Sequence, residues 1–82
     1  MKPILKPLAT EKAVMKIESE NILTFQTNKE SNKEDIKKEI ENLFGVKVEK
    51  VRTLLKGNKK YAYVKLKKES VALDVATKLG IM

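Results

Sequence analysis

The sequence predicts an α+β fold: a four-stranded antiparallel sheet around a split βαβ core, with helices on both faces and the element order β-α-β-α-β-β-α. Three observations predict it. Residues 46–55 and 60–66 each alternate apolar and polar side chains, and only Lys56-Gly57-Asn58-Lys59 separates them, so they read as a hairpin. An amphipathic helical stretch lies between that hairpin and an earlier strand, which makes a crossover of the right-handed kind. A last helix follows the hairpin, leaving a vacant sheet edge for the N-terminal segment.

Taken in order, residues 3–6 (PILK) read as a short edge strand bracketed by Pro3 and Pro7, because proline is tolerated at edges. Thr10 is placed to cap a helix, with Glu11 in its first turn where the helix dipole favours an acid. Ala13, Val14 and Ile17 share one face of that helix. Residues 22–27 (ILTFQT) read as a strand with Leu23 and Phe25 on one face and Ile22, Thr24 and Gln26 on the other. Ser31 with Glu34 has capping-box spacing, and Asn32 is a rival cap. Ile36, Ile40, Leu43 and Phe44 then form an apolar stripe, and Gly45 is suited to end the helix.

In the next strand Val46 and Val48 alternate in one phase and Val51, Thr53 and Leu55 in the other, so a bulge is expected near Glu49-Lys50. Its partner sets Ala62, Val64 and Leu66 on one face and Tyr61, Tyr63 and Lys65 on the other. Ser70 is expected to cap the last helix, whose stripe is Ala72, Val75, Ala76 and Leu79 and whose end is Gly80.

Residues 1–82 read as one domain. A chain this short buries only about 60% of its unfolded surface, so the core is thin. An apolar fraction of 41% still suffices to form one. Net charge is +7 and unevenly placed: residues 51–82 hold Arg52 and seven lysines against Glu69 and Asp74, while residues 21–50 are balanced. A localised basic patch is the electrostatic footprint expected for nucleic acid. A Lys- and Glu-rich surface kept for solubility would be more even.

The chain has no cysteine and no histidine, which removes disulfides, thiol catalysis and nearly all transition-metal sites. No glycine-rich phosphate loop appears, and Glu34, Asp35, Glu39 and Glu41 alternate with lysines as a solvated helix flank usually does. An enzyme, a cofactor, a metal site and a small-molecule substrate are therefore not expected. The start lacks the apolar run of a signal peptide, and no segment approaches the roughly 18 apolar residues of a membrane span.

Lys56, Lys59 and Lys60 crowd the hairpin tip, where Gly57 and Asn58 let the backbone approach a partner and several phosphates can be neutralised together. The bland alternative is a lysine-blunted hairpin that discourages edge pairing. Arg52, the only arginine, can grip a phosphate, stack on a base or simply be a surface charge. Tyr61 and Tyr63 either stack bases or lie under the first helix, against Val14 and Ile17.

The stretch Asn58 to Leu66, NKKYAYVKL, approaches the aromatic strand pattern of RNA-recognition domains. Such a domain wants glycine at position 60 and an aromatic at 66, where Lys60 and Leu66 stand, and Ile22, Thr24 and Gln26 supply no aromatic on the open face. A stand-alone single-stranded RNA-binding module is thus the alternative reading. A protein-interaction module using the first helix is a third.

A better match runs through the whole chain. P-x-x-T-E-K at Pro7 to Lys12 is followed by N-x-L-T-F at Asn21 to Phe25. Then come I-K-x-x-I-E-x-L-F-x-V-K-V at Ile36 to Val48, V-x-T-L at Val51 to Leu54, and a basic-A-Y-V-K-L block ending at Leu66. In this order the motifs resemble the large-subunit ribosomal protein twenty-three family, universal at the mouth of the polypeptide exit tunnel.

The resemblance implies a structural, ribosome-bound, cytoplasmic protein. Its partners would be large-subunit rRNA, neighbouring ribosomal proteins and factors meeting the nascent chain, namely the signal recognition particle, the translocon and chaperones. It implies factor docking through Glu11, and rRNA contacts through Lys6, Lys12, Arg52, Thr53, Lys56, Lys59 and Lys60, to which the residue reading adds Asn58 and Tyr61. Bacterial members carry a long tunnel loop where this chain has a short turn, and eukaryotic members carry a long basic extension. The resemblance therefore implies an archaeal-type, short-loop member. Tyr61 stands where the family commonly has a second basic residue, and Arg52 where asparagine is common.

Overall fold

A computed structural model describes residues 4–81. Seven elements follow one another: β1 (Lys6–Pro7), α1 (Glu11–Glu20), β2 (Ile22–Thr27), α2 (Lys33–Phe44), β3 (Val48–Lys56), β4 (Lys59–Leu66) and α3 (Ala72–Leu79). The sheet order is β1-β2-β4-β3, and every pairing is antiparallel. β4 lies between β2 and β3, so those two strands run parallel and α2 is their crossover, which is the split βαβ arrangement.

β1 does occupy the edge beside β2, but it is Lys6–Pro7, paired with Gln26 and Phe25, rather than residues 3–6. Pro3 lies outside the described residues. Pro7 is inside the strand because an edge strand has one side on which no N–H is needed. The expected bulge is present: the register shifts between Val48 and Lys50. It lets Val48 and Val51, three residues apart, both face the helices. The hairpin turns through Gly57 and Asn58, with Lys56 opposite Lys59. Gly57 has φ 62° and Asn58 is not left-handed, the pattern of a II′ turn that matches the strand twist.

One face of the sheet carries the core. Leu23, Phe25, Val48, Val51, Ala62, Val64 and Leu66 pack with Ile36 and Ile40 of α2 and with Ala72, Val75 and Ala76 of α3. Ile17 of α1 joins them, while Ala13 and Lys16 of the same helix border the opposite face beside Thr24 and Tyr63. Leu43, expected in the stripe, is 61% exposed, because the α2 surface resting on the sheet is centred on Ile36 and Ile40.

Caps separate what sequence left open. Thr10 accepts from the Ala13 N–H, and Asn32, not Ser31, accepts from the Asp35 N–H. Ser31 is buried and bonded instead to Thr27 and Asn28. Ser70 does not cap α3; its Oγ accepts from the Lys47 N–H. The cap comes from across the fold. Asn21, left-handed at φ 59°, accepts from the Ala72 N–H at 2.6 Å and donates to the carbonyls of Ser70 at 2.8 Å and Leu66 at 3.3 Å.

Removing that side chain leaves partly buried backbone groups unpaired. Asn21→Gly keeps the backbone free to adopt positive φ and isolates the side-chain contribution. It is expected to cost about 2–4 kcal/mol in urea unfolding. A loss below about 0.5 kcal/mol would show that water replaces Asn21 without penalty.

Candidate nucleic-acid interface

Alternation decides which side chains reach the face that α2 and α3 leave open. Arg52 pairs with Tyr63, Leu54 with Tyr61, Lys50 with Lys65, and Lys56 with Lys59, and all eight share that second face. Tyr63 and Tyr61 pair in turn with Thr24 and Gln26 of β2, and Gln26 with Lys6 of β1. Lys6, Lys50, Arg52, Lys56, Lys59 and Lys65 are all exposed. α1 adds Lys12 and Lys16 at the margin.

Two of these pairs set lysine directly opposite lysine. Like charges in cross-strand register destabilise a sheet. Lys50 facing Lys65 and Lys56 facing Lys59 therefore concentrate positive charge on this face, which a bound anion would relieve.

Two adjacent clefts cut this face. The first, about 250 Å³, lies between α1 and the sheet and is bordered by Lys12, Lys16, Thr24, Leu54, Lys56 and Tyr61, among others. The second, about 200 Å³, is lined by Glu20, Ile22, Lys50, Arg52, Tyr63 and Lys65, and among the described residues Glu20 is the only acid of the two linings. The Lys16 ammonium sits 4.7 Å from the centre of the Tyr63 ring, a cation–π contact. The tyrosines are half-buried. Ile17 lies in the core, and Lys16 is what covers Tyr63.

The residues singled out from sequence divide between the faces. Lys6, Lys12, Arg52, Lys56, Lys59 and Tyr61 come together on the open face or its margin. Thr53, opposite Ala62, turns to the helix-covered face. Lys60, opposite Leu55 and Thr27, turns the same way and donates its ammonium protons to the Ser31 carbonyl. Asn58 is at the turn, where its Oδ1 accepts from Lys29 Nζ at 3.2 Å. Glu11 opens α1 and is exposed.

Lys16, Lys50 and Lys65 were not singled out, although the signal was there. Lys16 is one turn after Lys12, and Lys50 and Lys65 keep the alternation of Arg52 and Tyr63.

Among the described residues Glu30 departs from its ordinary value, its carboxyl held low by backbone N–H donation and then by Asn28, in the exposed loop before α2. Among the described residues no cluster of acids could hold a metal, and no helix is long and apolar enough to cross a membrane. In comparison with known protein families, the model described as Ribosomal protein L23 matches residues 2–78 of the chain.

The two faces make opposite predictions for mutation. Removing Arg52, Lys56 or Lys65 one at a time should lower affinity for folded RNA and reduce the slope of log affinity against log salt by about 1 each. Lys60→Met should leave that slope unchanged and instead lower thermal stability, because it strips the Ser31 carbonyl of its donor. An equal slope change for Lys60 would mean that its ammonium swings to the RNA.

Proposed function

The chain belongs to the ribosomal protein L23 family, and from that premise we propose that its second sheet face is the surface seated on RNA. As a family member it is a large-subunit ribosomal protein that binds rRNA at the tunnel exit, a structural component and not an enzyme. The observation that carries the assignment of the face is the pair of lysine–lysine registers, Lys50 opposite Lys65 and Lys56 opposite Lys59. Their repulsion is relieved when each pair straddles phosphate oxygens.

The mechanism is positional. Lys6, Lys12, Arg52, Lys56, Lys59 and Lys65 neutralise backbone phosphates, and the counterions released supply the affinity. Such contacts fix register and orientation without reading sequence, and folded RNA is recognised by its shape. Asn58 and Lys60 act at the hairpin tip, with Lys60 bracing the loop before α2 rather than reaching outward. Thr53 supports the strand from its covered side. Residues 1–82 act together as one rRNA-binding domain.

Glu11 serves a second role, as a docking point for the signal recognition particle, the translocon and chaperones. The support is its position: it is exposed at the start of α1, with its carboxylate outside both clefts. The chain is an archaeal-type member, a reading supported by the two-residue turn at Gly57-Asn58, which leaves no loop to enter the tunnel.

Competition across a salt series tests the interface. A folded tunnel-exit fragment of large-subunit rRNA should outcompete short single strands, with affinity falling steeply as salt rises. Preference for short strands would instead favour an RNA-recognition-type stacking platform. Glu11→Ala should leave rRNA binding intact and weaken capture of signal recognition particle by reconstituted subunits. Equal loss of both would rule out a separate docking face.

A further inference from the structure

β3 is an outer strand of the sheet, and its free side is guarded unevenly. The Leu66 N–H donates to the Asn21 carbonyl, so along β4 the backbone groups of Leu66, Val64, Ala62 and Lys60 point to β2. Those of Lys65, Tyr63, Tyr61 and Lys59 point the other way, to Lys50, Arg52, Leu54 and Lys56. The alternate residues of β3, Val51, Thr53 and Leu55, therefore aim their N–H and C=O groups outward. Among the described residues no loop or side chain bonds to these groups.

Exposed edges are normally blunted by a bulge, a charge or a cover. On β3 the bulge and the cover lie at its start only. The register shifts between Val48 and Lys50, and Glu41 Oε2 accepts from the Val48 N–H at 3.1 Å. Toward the hairpin the edge instead carries two exposed leucines, Leu54 at 47% and Leu55 at 61%, one on each face of the sheet. An added strand would cover both while bonding to the outward backbone groups.

Charge selects the strand. A second copy pairing antiparallel through Thr53 would set Lys50 opposite Lys56. Pairing through Leu54 would set Arg52 opposite Lys56. Like charges directly opposite destabilise either arrangement. Acids opposite Arg52 and Lys56 reverse the sign. Apolar residues opposite Val51, Thr53 and Leu55 extend the face on which α2 packs.

We infer that the β3 edge from Val51 to Leu55 accepts, as a fifth strand, an extended segment of another protein that alternates acidic and apolar residues. Backbone pairing holds the segment, the leucines are covered, and Arg52 and Lys56 choose its charge. The site runs along the border of the RNA-facing surface. Because Arg52 and Lys56 also serve that surface, strand and RNA compete for them.

The probe is an acetylated, amidated heptapeptide alternating glutamate and valine, long enough to lie beside Lys50 to Lys56. Amide hydrogen exchange, read by NMR on the whole chain without RNA, tests the edge while leaving the RNA reading untouched. At saturating peptide the amides of Val51, Thr53 and Leu55 should exchange about tenfold more slowly. Those of Arg52 and Leu54, already bonded to β4, should change least. N-methylation of the peptide's valines, which stand opposite the outward groups, should weaken binding about tenfold or more. N-methylation of its glutamates, whose N–H groups face solvent, should not.

Equal loss with either methylated peptide, or equal slowing at all five amides, would overturn strand addition and reduce the contact to charge alone. A lysine–valine peptide that bound as tightly would overturn the choice of an acidic partner. Slowing at Val51, Thr53 and Leu55 without peptide, growing with protein concentration, would assign the edge to a second copy and overturn the proposal.

Discussion

Asn21 holds together the corner on which the other elements depend. Its backbone turns left-handed to end α1 and start β2 in a single step. Its side chain then reaches the β4–α3 connection, between 45 and 51 residues further along the chain. Asparagine is one of the few non-glycine residues that accept this backbone conformation. Its amide also supplies both the donor and the acceptor needed there. One side chain therefore fixes where α1 leaves, where β2 enters and where α3 begins. A thin core gains specificity from such a tie, because packing alone in so short a chain tolerates sliding of helices.

The second constraint is the bulge in β3. A strand that kept strict alternation from Val48 would send Val51 to the open face and Arg52 into the core. The extra residue reverses the phase, so Val51 goes in while Lys50 and Arg52 come out on the side of Tyr63 and Lys65. The basic surface is thus a product of the same irregularity that completes the hydrophobic one. One backbone irregularity sets both the apolar face and the face proposed for RNA, which is how bulges are often used to aim side chains.

Much of this was legible in the sequence, for definite reasons. The crossover, the hairpin, the bulge and the Thr10 cap are local patterns, and local chemistry decides them. What escaped was decided at a distance. Ser70 looks like a cap, but Asn21 takes the Ala72 N–H and Lys47 takes the serine hydroxyl. Ser31 looks like a cap but is drawn inward by Thr27. Leu43 completes a stripe on paper, yet the helix rests on a narrower band of its surface. At the interface, the alternation of Tyr61 and Tyr63 with buried residues already gave their face. The inward turn of Lys60 and the Lys16 cover on Tyr63 required the register with β2 and the placement of α1.

The crowding of lysines on the open face also bears on the chain before it meets RNA. Facing pairs such as Lys50 and Lys65 push against the folded state when nothing lies between them, and added salt damps that push. Salt therefore acts in opposite directions on the two equilibria: it steadies the unbound fold and loosens the complex. A free chain in dilute buffer is in its least stable surroundings, and the polyanion that it binds replaces the missing counterions. RNA thus acts toward this protein as a scaffold as well as a destination, and the ribosome is the environment in which its charge distribution is at rest.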